Sequence, residues 1–255
     1  MKEYKQDNIT IHNADCMEIM SRYEDNYFDL AVTSPPYNMN LRVNSKGDGY
    51  CSRQIVKELS TKYKNYSDNL PMEDYYSFLY KTMMELVRVS KLTFFNMQMI
   101  TGNKPAFFKV LGDMHKYIKE CIIWDKGAAQ PAIGKGVLNS QYEFIIVLSS
   151  DAITRSFEDA IFDRGTLSNL WQINKKPSKN KNHSASYPIE LSDKILNLFC
   201  KKGAKVIDPF LGTGTSAISA HYAKMGEFVG CELDPDYYEA SIERIYNETR
   251  QLELF

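Results

Sequence analysis

Ser34-Pro35-Pro36-Tyr37 sets a hydroxyl, two imide-linked carbonyls and an aromatic ring in consecutive order, directly after the apolar run Leu30-Ala31-Val32-Thr33. A residue that precedes proline is biased away from the helical region, so Ser34 and Pro35 are both held extended. Rigid acceptors beside a ring suit a flat group that carries an NH₂. A second segment, Asp208-Pro209-Phe210-Leu211-Gly212-Thr213-Gly214-Thr215, follows Val206-Ile207 and precedes the small residues Ser216, Ala217, Ser219 and Ala220. Glycines between a strand and a helix let the backbone approach a ligand closely. Glu232 closes the next apolar run, twenty residues after Gly212. A carboxylate at that strand end can accept hydrogen bonds from both hydroxyls of a ribose. The spacing is not G-x-G-x-x-G, and the turn has no lysine for a phosphate, so a nucleoside without phosphates fits better than a dinucleotide.

Positioning these groups requires a sheet. Short apolar runs bounded by turn residues predict strands over Ile9–Asn13, Asp29–Ser34, Leu92–Met97, Cys121–Asp125, Phe144–Ser149, Lys205–Phe210 and Glu227–Glu232. Helical spacing predicts helices over Met72–Ser90, Lys104–Lys116, Ile189–Lys201, Thr215–Lys224 and Pro235–Thr249. This alternation implies an α/β fold with a mostly parallel, seven-stranded sheet covered by helices on both faces. No helix separates Cys121–Asp125 from Phe144–Ser149, which reads as an antiparallel edge hairpin. Residues 39–70 and 152–182 follow neither period and are rich in Asn, Ser, Lys and Gly. Irregular stretches of that length usually serve function or are disordered. Tyr75-Tyr76, Phe78-Leu79 and Met83-Met84 read as core, and Asp234 and Asp236 as the acidic start of the last helix. His12, His115, His183 and His221 lack ligand spacing, and no metal site is expected.

The ordered pair of segments resembles the DNA amino-methyltransferases of prokaryotes and phages. Two further stretches agree: Asn13-Ala14-Asp15-Cys16 is similar to that family's Gly-Asp-Cys segment. Asn182-His183-Ser184-Ala185-Ser186-Tyr187-Pro188 is similar to its Asn-His-Pro-Ala-x-Phe-Pro segment, with Ser184 and Tyr187 as departures. Ser-Pro-Pro-Tyr precedes the glycine turn, which matches the circularly permuted β group and maps nearly the whole chain as a single catalytic domain, 1–255. The resemblance implies a Rossmann-like fold and S-adenosylmethionine as methyl donor, with S-adenosylhomocysteine as product. It implies cofactor contacts at Asp15, Cys16, Asp208, Pro209, Phe210, Gly212, Gly214, Thr215 and Glu232, and catalysis at Ser34, Pro35, Pro36 and Tyr37. The acceptor would be an exocyclic amine, N4 of cytosine favoured over N6 of adenine because serine, not aspartate, precedes Pro-Pro-Tyr. No Pro-Cys nucleophile for ring-carbon methylation occurs. A base inside a duplex is unreachable, so it must flip and stack, with Tyr37 the expected platform. An RNA or protein methyltransferase on the same fold, and a non-catalytic nucleic-acid binder, stand as competing classes. A cognate restriction endonuclease and a homodimer remain open as partners.

Thirty-one basic and 32 acidic residues in 255 give a net charge of −1, which excludes a polybasic binder. The charge is nevertheless bipolar along the chain. Residues 40–68 hold six basic residues, Arg42 and Arg53 among them, against three acids. Lys175, Lys176, Lys179 and Lys181 stand with no acid between residues 174 and 183, whereas residues 225–255 carry eight acids against two arginines. The first stretch is expected to be a variable loop near the active site. Residues 152–182, with the lysines at their end, are expected to form a target-recognition region that pairs with phosphates. Five scattered cysteines without C-x-x-C, no signal-like start and no long apolar run fit a reducing cytoplasm and no membrane.

Overall fold

The computed structural model describes residues 2–38, 42–43, 50–51, 70–130, 135–174 and 187–250. Its strands are β1 (Lys2–Gln6), β2 (Ile9–Asn13), β3 (Phe28–Thr33), β4 (Arg42–Val43), β5 (Tyr50–Cys51), β6 (Ser90–Met97), β7 (Ile118–Gln130), β8 (Ser140–Leu148), β9 (Leu170–Gln172), β10 (Lys205–Asp208) and β11 (Glu227–Cys231). The helices are α1 (Cys16–Met20), α2 (Met72–Val89), α3 (Lys104–Asp113), α4 (Ile189–Phe199), α5 (Thr215–Tyr222) and α6 (Pro235–Arg250). A short 3₁₀ turn, His115–Tyr117, continues from α3. Among the described residues no helix is long and apolar enough to cross a membrane.

Nine strands form one sheet in the order β1-β2-β11-β10-β3-β6-β8-β7-β9, and β4 pairs with β5 apart from it. Strands β2, β11, β10, β3 and β6 are mutually parallel, β8 runs against them, and β7 and β9 run with them again. The α/β class with helices on both faces stands, but the sheet has nine strands rather than seven. β1 escaped the apolar pattern because Lys-Glu-Tyr-Lys-Gln is a solvated edge, antiparallel to β2. β9 is three residues long and lies inside the stretch expected to be irregular. It adds to β7 through Trp124 beside Trp171, so the β7–β8 hairpin lies one strand in from the edge.

Alternate residues of each strand feed two cores, as a pleated strand requires. Leu30, Val32, Phe94, Ile145, Val206 and Phe228 pack with α4, α5 and α6. Ala31, Phe95, Ile146, Ile207 and Val229 pack with α1, α2 and α3. Tyr75, Leu79 and Met83 of α2 are fully buried in the second core. Residues 152–174 also lean on the body of the protein, since Phe157, Phe162, Leu167 and Ile173 pack against the first core.

From β10 the chain winds through α5 to β11 on one side, and from β3 through α2 to β6 on the other. The winding direction therefore reverses between β10 and β3, the place where open α/β sheets bind ligands, beyond the strands' carboxyl ends.

Candidate active site

Thr33 and Asp208 end the two strands that flank this switch point, and they hold it together. Thr33 Oγ1 donates to Asp208 Oδ1 at 2.6 Å, Phe210 N donates to the same oxygen at 3.0 Å, and Ser216 Oγ donates to Oδ2 at 2.5 Å. Asp208 is thus buried with its carboxylate taken up by internal donors, and it shapes the glycine turn from within. Burial raises its pKa to about 6 despite these donors. Pro209 beside it is buried as well.

The glycine turn carries left-handed backbone at Gly212 (φ 55°) and at Gly214 (φ 82°), the N-cap of α5. At Gly214 a Cβ would sit 3.0 Å from Ile245 Cγ1, whereas at Gly212 the nearest atom is the Phe210 carbonyl at 4.0 Å. Gly214 admits α6, and Gly212 leaves its own surface open. Arg244 of α6 braces the turn, donating to Thr213 Oγ1 and Thr215 Oγ1 at 3.0 Å each.

Glu232 follows β11 and reaches this turn, as its spacing predicts. Its Oε2 accepts from Gly212 N at 2.9 Å and its Oε1 from Asp234 N at 2.9 Å. Burial lifts its pKa to about 7 against the pull of both amides. From the adjacent β2, Asn13 Nδ2 donates to the Glu232 carbonyl at 2.9 Å, and Asp15 caps α1 by accepting from Met17 N at 2.7 Å. The Cys16 thiol is buried, which pushes its pKa up to about 12. Tyr187 opens the chain into α4, and its hydroxyl is buried beside Asp208 and Ser216.

Across the switch point, Ser34 to Asn38 leaves β3 as a buttressed segment. Tyr75 Oη donates to the Pro36 carbonyl at 2.7 Å, and Asn103 Nδ2 donates to the Tyr37 carbonyl at 2.9 Å. The Pro35 carbonyl accepts no hydrogen bond among the described residues. Ser34 Oγ lies 2.9 Å from Tyr37 Oη, and Tyr37 Oη donates to Glu143 Oε2 at 2.9 Å. Asn96 Nδ2 stands over this group at 2.9 Å from Tyr37 Oη, 2.8 Å from Glu143 Oε2 and 3.4 Å from Ser34 Oγ. Lys126 Nζ pairs with Glu143 Oε1 at 3.4 Å, both side chains buried. Burial, and then the neighbouring Glu143 carboxylate, hold the Tyr37 phenol well above its ordinary pKa.

Thus β3, β10 and β11 bring Ser34, Pro35, Tyr37, Gly212 and Glu232 to one edge. Arg42 lies in β4, while Arg53, Lys175, Lys176, Lys179 and Lys181 lie outside the described residues. Sequence reasoning missed Asn96, Lys126 and Glu143. Their only signal was a polar residue inside or at the end of an apolar run, as in Phe94-Phe95-Asn96-Met97, which an edge strand would place in water just as well.

A switch point with this permuted order is the architecture of solved DNA methyltransferases. The PvuII DNA methyltransferase (cytosine-N4-specific) has this fold, with a TM-score of 0.68 over 96% of this chain and 92% of its own, at 15% identity. The M1.HpyAVI–SAM complex has it as well, with a TM-score of 0.59 over 92% and 99%, at 16% identity. The family model described as DNA methylase matches residues 28–243, and the chain belongs to that family, the N6/N4 amino-methyltransferases. Type II methyltransferase M.Cfr9I of Citrobacter freundii is 29% identical over 138 residues, 52% of this chain and 45% of the relative. The chain spans less than half the length of that relative and of two further type II methyltransferases, at 27% and 46%.

Proposed function

We propose that the chain transfers the methyl group of S-adenosylmethionine to the exocyclic amino nitrogen of a flipped DNA base, N4 of cytosine in preference to N6 of adenine. The observation that carries this is the placement of the Ser34 hydroxyl and the unengaged Pro35 carbonyl one strand away from an open glycine turn and its carboxylate. The residues fit the cofactor. The open face of Gly212 admits a ligand to the backbone, and Glu232 and Asp15 offer carboxylates. Asp15, Cys16, Phe210, Gly212, Gly214, Thr215 and Glu232 would hold it, with Asp208 and Pro209 shaping the turn beneath. When bound, S-adenosylmethionine supplies an electrophilic methyl on a sulfonium.

An aromatic amine delocalises its lone pair into the ring and is a poor nucleophile. Acceptance of its two N–H bonds by Ser34 Oγ and the Pro35 carbonyl lets the nitrogen pyramidalise and aims the lone pair. The chain contributes orientation and local electrostatics, with no covalent intermediate. Tyr37, with a partly buried ring, supports the flipped base. Arg42, Arg53 and the lysines 175–181 pair with phosphates. Within 152–182 the target-recognition role falls to the end beyond the core-packed residues 152–174. A neutral hydroxyl accepts more weakly than a carboxylate, which favours cytosine.

Incubation with labelled S-adenosylmethionine and duplex DNA, followed by nucleoside digestion, tests this. N4-methylcytosine is the expected product, and N6-methyladenine would move the assignment to the second base. Labelled 5-methylcytosine alone, or no labelled nucleoside, overturns the proposal.

A further inference from the structure

The geometry points to Glu143 as a positioning residue. Anchored by Lys126, it orders the protons of Tyr37 and Ser34 so that Ser34 faces the base only as an acceptor. This rests on the methyl transfer to an amino nitrogen proposed above.

A serine hydroxyl can donate or accept, so serine alone does not distinguish an amino group from a carbonyl. Here the choice is removed. A carboxylate has only lone pairs, and Glu143 Oε2 lies 2.9 Å from Tyr37 Oη, so the single phenolic proton points at Glu143. The Tyr37 oxygen then meets Ser34 Oγ at 2.9 Å with lone pairs only, so the Ser34 proton points at Tyr37. Asn96 Nδ2 closes the group with donors alone, 2.9 Å from Tyr37 Oη. Asn96 Nδ2 makes only a long contact to Ser34 Oγ, at 3.4 Å, so a lone pair of Ser34 Oγ is what remains for a ligand. An exocyclic NH₂ satisfies it, whereas the carbonyl oxygen of a deaminated base meets lone pairs with lone pairs. The arrangement is buried, with Lys126 and Glu143 8% and 4% exposed, so water does not scramble the order. A serine so ordered supplies the acceptor that an ionised aspartate would supply by its chemistry alone.

The test compares wild type with Tyr37→Phe, Glu143→Gln and Ser34→Ala, each checked by thermal melting, and with the double variants Ser34→Ala/Tyr37→Phe and Ser34→Ala/Glu143→Gln. Tyr37→Phe keeps the ring and leaves the buried Lys126–Glu143 pair intact, so it carries the test if Glu143→Gln does not fold. Single-turnover rates on duplexes bearing the unmethylated target site should fall about tenfold in Tyr37→Phe, the net worth of one hydrogen bond expressed as a rate. S-adenosylhomocysteine affinity should be unchanged. Neither substitution should lower the rate further once Ser34 is alanine, because both act through its hydroxyl. Equilibrium binding supplies a second readout, the target base against its keto analogue, uracil for cytosine or hypoxanthine for adenine. Wild type should prefer the amino base, and Tyr37→Phe should lose most of that preference. Additive rate losses, or a preference unchanged in Tyr37→Phe, overturn the proposal and leave the methyl-transfer activity standing. A wild-type protein that methylates no amino group removes both.

Discussion

At the scale of single residues, the two carboxylates of the switch point differ in what a ligand can do to them. Asp208 is saturated by Thr33, Phe210 N and Ser216, whereas Glu232 rests on the amides of Gly212 and Asp234 at the edge of the turn. Ribose hydroxyls donate best to an ionised carboxylate, so cofactor binding should draw the Glu232 pKa down from about 7 and release a proton. Asp234 and Asp208, the acids facing it, oppose that ionisation. Affinity should therefore be full above pH 7 and weaken as pH falls below it, by up to about tenfold per unit. Titration calorimetry with S-adenosylhomocysteine in two buffers of different ionisation enthalpy measures the proton, and a pH-independent affinity would contradict the assignment. Glu232→Ala should weaken binding first. Ser34→Ala should instead lower kcat about ten- to hundredfold, the loss of one strong acceptor, with cofactor affinity nearly unchanged.

At the scale of elements, the Ser34–Asn38 segment depends on a clamp at its far end. Asn38 is buried with left-handed backbone (φ 54°), and its side chain spans the two points where residues 39–69 leave and rejoin the described fold. Leu70 N donates to Asn38 Oδ1 at 2.7 Å, and Asn38 Nδ2 donates to the carbonyls of Leu70 at 3.0 Å and Gly102 at 3.3 Å. Asn38→Ala should cost about 2–4 kcal/mol, from lost buried hydrogen bonds and a Cβ in the left-handed region without its compensating amide. Asn38→Gly should cost about 1 kcal/mol less, because only the hydrogen bonds are lost. Denaturant melts of both variants measure the difference, and equal losses would place the whole cost in the hydrogen bonds. This clamp was invisible in the sequence, as was the Glu143 network, for the same reason. Asn96 meets Glu143 across 47 residues and Asn38 meets Leu70 across 32, and no local period announces such partners. What was legible depended on local repetition. The apolar runs marked β2, β3, β6, β10 and β11, and the turn chemistry of Gly212 and Gly214 marked the start of α5. The charged β1 and the three-residue β9 offered no such repetition.

At the scale of the whole molecule, strand direction brings three strand ends to one side. β3, β7 and β9 run the same way, so all three end toward the edge that holds Ser34 and Glu232, and the lysines 175–181 follow β9 in the sequence. The acids of α6 belong to another place. They lie on a helix packed behind the glycine turn, where Glu239 pairs with Lys2 and Glu248 with Arg244. A net charge of −1 thus conceals a lysine-rich stretch that follows β9 in the sequence and a helix, α6, supplied with acid. DNA held at that edge releases counterions, so its affinity should fall with salt, with a log–log slope near −0.9 for each phosphate paired. Replacing Lys175, Lys176, Lys179 and Lys181 together by glutamine should flatten that slope by up to about 3–4, while S-adenosylhomocysteine affinity stays as it was. Fluorescence anisotropy of a labelled duplex from 50 to about 300 mM salt reads the slope directly. If the quadruple variant keeps the wild-type slope, those lysines face solvent, and phosphate pairing must come from Arg42, Arg53 and their neighbours. A slope near zero in the wild type would remove DNA as the partner of this edge altogether.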